Sequence, residues 1–105
     1  MIVYNTTYTV PNDDARNFVI WVHQSMLPAS VSEGMLVKPR LLRILSHRDP
    51  ETECFSLQLE TASTAALHKW FVGTGNRLQQ ELDKLFDKRV LYFSTIMEVI
   101  SEDGK

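Results

Sequence analysis

The chain predicts an α+β sandwich: a four-stranded antiparallel sheet with two helices on one face. Three observations carry that reading. Apolar residues switch between a two-residue and a three-to-four-residue period in the order β-α-β-β-α-β. Only the two middle strands are joined by a short turn-forming segment, so they must form an antiparallel hairpin. Each helical stretch lies between two strands, as a crossover connection requires.

The first strand, "IVYNTTYTV" at 2–10, is β-branched and aromatic and is closed by Pro11, which cannot continue a central ladder. "NDDARNFVIWVHQSM" then repeats Ala15, Phe18, Trp21, Val22 and Met26 at helical steps. Asn12 or Asp13 is placed to cap this helix, and Asp13 and Asp14 suit the positive end of its dipole. Pro28 disturbs the helix a turn further on, and Gly34 ends the connection. Strand two is expected over 37–46 and strand three, "ECFSLQLE", from 53 to 60 or 61, with Asp49 and Pro50 starting the reversal between them.

The second helical stretch, "STAALHKWFVGTGNRLQQELDKLF", opens on a Ser63 or Thr64 cap and repeats Leu67, Phe71, Leu78, Leu82 and Leu85. Its period survives Gly73 and Gly75, which predicts one bent helix or two collinear pieces. Gly75 is expected to permit close packing. "RVLYFSTIMEVI" reads as strand four and "SEDGK" as a frayed tail. Right-handed crossovers then put strands one and three in the centre and strands two and four at the edges. This is the ferredoxin-like arrangement, expected as one domain over 1–100 with a flexible tail at 101–105.

The 105 residues are 44% hydrophobic and 23% charged with a formal net charge of −2, ordinary for a globular domain. No basic stripe invites nucleic acid or an anionic membrane. The lone Cys54 excludes an intramolecular disulfide, a Cys-x-x-Cys pair and a cysteine-rich zinc site, and suits a reducing compartment. "MIVYNTTYTV" has the alternation of a strand and lacks the charged start of a secretion signal. No apolar run approaches the roughly 20 residues of a membrane span. A cytoplasmic protein is the expectation.

Side chains alternate across a strand, and the more apolar set should face the helices. By that rule Phe55, Leu57 and Leu59 point inward from strand three and leave Cys54, Ser56, Gln58 and Glu60 on the open face. Leu42 and Ile44 match them in strand two, so Leu41, Arg43, Leu45 and His47 are expected to look away from the helices. Strand four adds Tyr92, Ser94, Ile96 and Glu98 to the open face if Phe93, Thr95 and Met97 turn inward. Strand one leaves two choices: Asn5 and Thr7, or Tyr4, Thr6 and Tyr8.

The open face so composed is half polar and half apolar, with a patch on the order of a few hundred Å² built on Leu41, Leu45 and Ile96. Such a face suits two copies packed sheet against sheet around a small molecule. Arg43, Ser56 and Gln58, with His47, Tyr92 and Ser94, are the candidate ligand-binding residues, and Leu41, Leu45 and Ile96 the candidate interface. A buried Arg43 would need Glu60, Glu98 or a bound anion beside it. Alternatively its stem lies along apolar neighbours while its head reaches water at the sheet edge.

Specific chemistry is sparse. His23, His47 and His68 share no metal-ligand spacing, so neither metal nor cofactor is expected. His47 is the best placed general base, and His68 reads as a boundary residue. "GTGN" at 73–76 lies inside a helical pattern, which disqualifies it as a phosphate loop. No Gly-x-Ser-x-Gly elbow is present. "NTT" at 5–7 formally matches a glycosylation acceptor but sits in a central strand.

Taken together, "MIVYNTTY", "PRLLRILSH", "SLQLE", "LHKWF" and "FSTIMEV" resemble an uncharacterised family of short bacterial proteins, typical of Bacteroidetes and known only as a domain of unknown function. The resemblance covers nearly the whole chain. It implies a fold similar to the dimeric α+β barrel and brings no activity or catalytic residue with it. Three functions fit: a homodimeric small-molecule-binding protein with a possible regulatory role, a cofactor-independent oxygenase or isomerase acting in the barrel cavity, and a protein interaction module.

Overall fold

A computed structural model of the chain describes residues 1–102; the end of the tail expected at 101–105 lies outside the described residues. The elements follow the expected order: β1 (Ile2–Pro11), α1 (Asn12–Trp21), a π-helical turn (Val22–Met26), α2 (Leu27–Val31), β2 (Val37–Arg43), β3 (Thr52–Thr61), α3 (Thr64–Trp70), a second π-helical turn (Phe71–Gly75), α4 (Asn76–Leu85) and β4 (Leu91–Glu98). The sheet order is β2-β3-β1-β4 with every pair antiparallel, so the central and edge strands stand where the crossover rule puts them.

Each helical stretch is continuous, because the backbone stays right-handed helical through both π-turns. The first π-turn leads directly into Pro28, whose missing N–H would break a regular ladder; one wide turn absorbs the fault. The second holds both glycines. A Cβ on Gly75 would lie 2.6 Å from Cζ3 of Trp70, whereas one on Gly73 would meet nothing within 4 Å. The close packing expected of Gly75 is therefore packing against the indole one turn earlier in the same rod.

Ser63 caps α3, its Oγ accepting the Ala66 N–H at 3.1 Å. The first helix differs from expectation, since Pro11 holds the cap position and no side chain caps it. Asn12 instead docks the helix start onto the β2–β3 turn: its Nδ2 donates to the Pro50 carbonyl at 2.7 Å and its backbone N–H to that of Glu51 at 3.0 Å. Within that turn Asp49 accepts the Glu51 N–H at 3.0 Å and the Thr52 hydroxyl at 3.1 Å. Those two bonds hold its carboxyl below the usual range.

The core lies between the helices and one sheet face. Tyr4, Tyr8, Phe55, Leu57 and Leu59 from the sheet meet Phe18, Trp21, Leu67, Trp70, Leu78, Leu82 and Phe86 from the helices. Phe18 is fully buried, with ring centroids 4.9 Å from Tyr8 and 5.4 Å from Phe55. The Trp21 indole N–H donates to Glu81 at 2.7 Å and ties the two helical rods together.

The central strands settle as their apolar content requires. Tyr4, Thr6 and Tyr8 face the helices, leaving Asn5 and Thr7 opposite Gln58 and Ser56 on the open face. Both edge strands invert the expected alternation. In β2 the register shifts between Val37 and Arg40, where Lys38 has φ 54°, and this irregularity turns Leu41 toward Leu57 and Arg43 toward Phe55 on the helix side. Leu42 and Arg40 stand on the open face opposite Ser56 and Gln58. In β4, Tyr92, Ser94 and Ile96 pair with Tyr8, Thr6 and Tyr4, so they too lie on the helix side, while Phe93, Thr95 and Met97 look away. Strand two also ends at Arg43, which leaves Leu45 87% exposed and His47 in the turn region.

Candidate functional site

The inversion of β4 builds a site that the expected face assignment did not contain. A cleft of about 270 Å³ lies between α3 and the β4 edge, lined by Tyr4, Thr64, Leu67, His68, Phe71, Ser94 and Ile96. Four different parts of the fold supply these walls. Tyr4 comes from the central strand, Ser94 and Ile96 from the edge strand, Thr64, Leu67 and His68 from α3, and Phe71 from the second π-turn. The helical spacing of Thr64, Leu67, His68 and Phe71 puts them on one side of the rod.

Hydroxyls form the floor. The Ser94 Oγ sits 3.1 Å from the Tyr4 hydroxyl and 3.0 Å from that of Thr6. Burial pushes the neighbouring Tyr8 phenol far above its ordinary range, with the Tyr4 and Tyr92 phenols adding to the shift and Thr6 opposing it. Tyr4, Thr6 and Tyr8 are buried and Ser94 is exposed within the cleft. Behind Tyr4 a void of about 10 Å³, near the size of one water, is walled by Thr6, Tyr8, Trp21, Met26, Trp70 and Gly75 among others. Trp70, packed edge-on to Tyr4 at 5.9 Å, keeps its buried indole N–H without a hydrogen-bond partner among the described residues.

The six candidate ligand-binding residues separate into three places. Ser94 is the one that enters the cleft. Tyr92 stands two residues away on the same face, its hydroxyl donating to Asp83 at 3.3 Å, and burial followed by the Asp83 charge raises its pKa. Ser56 and Gln58 belong to the open face. There a hydrogen-bonded ladder crosses three strands: Arg40 donates to Gln58 at 3.0 Å, Gln58 to Ser56 at 3.4 Å, Ser56 to Asn5, and Asn5 to Thr7 at 3.2 Å.

Arg43 and His47 occupy the far edge near the hairpin turn. The Arg43 Nε donates to Glu53 at 3.1 Å and its guanidinium lies 5.4 Å from the Phe55 ring centroid, with 58% of the side chain exposed. Its stem follows apolar surface and its head reaches water, as the edge-strand alternative anticipates; the acidic partner is Glu53 in place of Glu60 or Glu98. His47 bonds Thr52 at 2.7 Å, far along the sheet from Ser94.

Of the interface candidates, Leu41 packs against the core, Leu45 sits past the end of β2, and Ile96 lines the cleft. The exposed apolar residues of the open face include Val37 and Leu42 on one edge and Leu91, Phe93 and Met97 on the other, 41%, 38%, 66%, 63% and 40% exposed. Sequence reasoning missed Tyr4, Thr6 and His68 as parts of one site. The helical spacing of "TAALHKWF" placed His68 and Phe71 one turn apart, but only the β4 register shows which hydroxyl they meet. No group of three His, Cys, Asp or Glu able to hold a metal occurs among the described residues.

Comparison with solved structures places this geometry in a wider fold group. The chain is similar to a candidate antibiotic biosynthesis monooxygenase from Deinococcus radiodurans, with TM-score 0.76 and 14% identity over 100% of this chain and 98% of that one. It is similar to a dimeric ferredoxin-like protein from an uncultured marine organism, with TM-score 0.76 and 15% identity over 97% of both chains. It also resembles a MhuD point mutant holding two manganese protoporphyrin IX molecules per active site, with TM-score 0.75 and 15% identity over the full length of both. At such identities the likeness shows the fold, which is ferredoxin-like. No curated protein sequence matches the chain. The family is shown by sequence: residues 1–100 match the domain of unknown function DUF4286, and the chain belongs to that family.

Proposed function

We propose that this protein is a homodimer that packs open sheet face to open sheet face and binds one small molecule per chain in the α3–β4 cleft. The observation that carries the reading is the cleft itself: apolar and aromatic walls around a hydroxyl floor, with an exposed Ser94 backed by buried Tyr4 and Thr6. Its volume of about 270 Å³ is near the lower end for small-molecule pockets.

The second copy is argued from the open face. Exposed Leu42 on one edge and Leu91, Phe93 and Met97 on the other flank a polar ladder in which Asn5, Ser56 and Gln58 bond one another, with the exposed Arg40 at its rim. Covering that face costs little desolvation in the centre and removes apolar surface at both fringes. Similar structures include proteins described as dimeric ferredoxin-like, which supports the same assembly. The monooxygenase and porphyrin chemistry of the other neighbours belongs to those proteins. No helix among the described residues is long and apolar enough to cross a membrane. We place the protein in the cytoplasm, a reading supported by the lone buried Cys54, which suits a reducing compartment.

Native mass spectrometry of freshly purified protein tests both halves. The expected spectrum is a dimer, with added mass that disappears on mild denaturation. A monomer at tens of micromolar protein overturns the assembly. A failure of ligand screening by NMR to move any resonance of Ser94, His68 or Phe71 overturns the binding site.

A further inference from the structure

Resting on that reading of the cleft, we propose that its ligand is a neutral, flat, largely apolar molecule carrying a carbonyl oxygen, and that this oxygen accepts the hydroxyl hydrogen of Ser94. The inference follows from counting hydrogens. Tyr4, Ser94 and Thr6 form one chain of three hydroxyls joined by two hydrogen bonds. Each hydroxyl carries a single hydrogen and can accept twice, so one hydrogen of the three is left over.

Only one arrangement lets both buried hydroxyls donate. Thr6 and Tyr4 both give their hydrogens to Ser94. Buried donors left unmade are costly and exposed ones are not. The spare hydrogen therefore belongs to Ser94, the one exposed member, with both acceptor sites of its oxygen filled. Ser94 is thereby set as a donor to the cleft, and the complementary ligand atom is an acceptor with no hydrogen to give.

The walls define the rest of the molecule. Leu67, Phe71, Ile96 and the Tyr4 ring offer apolar and π surface, and no Lys or Arg lines the cleft. His68 is its one basic residue and is exposed to solvent. A carboxylate at the floor would lose water without gaining a cation, whereas a carbonyl loses little and gains the Ser94 bond.

Three probes of matched shape test this: naphthyl methyl ketone, ethylnaphthalene and naphthoate, titrated into the whole protein and followed by amide shifts. The ketone is expected to bind at Tyr4, His68 and Ser94 about tenfold more tightly than the hydrocarbon, with naphthoate weakest. Ser94→Ala should erase the ketone's advantage while leaving ethylnaphthalene affinity unchanged, and Ser94→Thr should restore it. Equal binding of the three, or naphthoate binding best, overturns the ligand class and leaves the small-molecule site standing. Equal weakening of ketone and hydrocarbon by Ser94→Ala shows a structural hydroxyl and overturns the proposal. No cleft response to any of the three overturns both the ligand class and the site.

Discussion

The two faces of the sheet solve opposite problems with the same four strands. On the helix side, Tyr4, Tyr8, Phe55, Leu57 and Leu59 are nearly inaccessible, and the polar atoms admitted among them are a short chain of hydroxyls. On the open side the central strands carry Asn5, Ser56 and Gln58, while the exposed large apolar residues lie on the edge strands. A face meant for water would need no leucine, phenylalanine or methionine at its rims. A folding core would not centre on amides. The difference identifies the first face as what holds the monomer together, and it is the second that we assign to contact with another copy.

Substitutions at matched positions break this comparison most directly. Leu57→Ala, on the helix side, should cost about 2–5 kcal/mol in urea unfolding, since it leaves a cavity in a packed core. Leu42→Ala, opposite Ser56 on the other face, should change the stability of the isolated monomer by no more than about 0.5 kcal/mol. Equal costs at high dilution would erase the distinction between the faces. Phe93→Glu comes next: it should weaken self-association by about 2 kcal/mol or more, read by sedimentation across protein concentrations, with monomer unfolding little changed. An unaltered dimer would show that the copies meet elsewhere.

Smaller effects test the helix side alone. Gly75→Ala drives a Cβ into Trp70 and should destabilise by about 1–3 kcal/mol, outweighing the gain in helix propensity. Gly73→Ala, with open space around it, should stabilise by up to about 1 kcal/mol, and the pair together separates packing from propensity. The smallest expected effect lies at the α1 start, where Arg89 donates to both oxygens of Asp14 at 2.9 and 3.1 Å. Those bonds hold the Asp14 carboxyl below its usual range. Its contribution is therefore complete above the ordinary carboxylate pKa of about 4 and is lost as pH falls through the lowered folded value. Arg89→Gln should raise the Asp14 titration seen by carbon NMR and flatten that acid loss; an unmoved titration would show that the pair is not formed in solution.

The order of elements, the sheet topology, the Ser63 cap and the inward face of strand three were all legible in the chain. Each rests on local pattern or on the handedness of crossovers. The faces of strands two and four were not legible, and the same physics explains why. Apolarity identifies the inward side only when the other side meets water. Here Leu42 and Phe93 are more apolar than Arg43 and Ser94, yet they lie outside, and no local signal marks the backbone irregularity at Lys38 that sets the parity of strand two. The cleft depended on the parity of strand four. Ser94 was named among the candidates, but for the opposite face, and Tyr4, Thr6 and His68 become its companions only through pairing of strands far apart in the chain.

The central place of β1 bears on how fast the fold can form. Its residues pair with β3 on one side and β4 on the other, so that Tyr4 waits for both Leu59 and Ile96. Such separations make the mean contact long-range, and the entropy of closing large loops must be met before any central ladder rewards it. The hairpin of β2 and β3 and the two helical rods can form early, while the aromatic, β-branched first strand keeps one edge unpaired until the last one arrives. Until then it is an open template for another chain, and slow assembly with a risk of misassociation through β1 is the kinetic cost of putting the first strand in the middle.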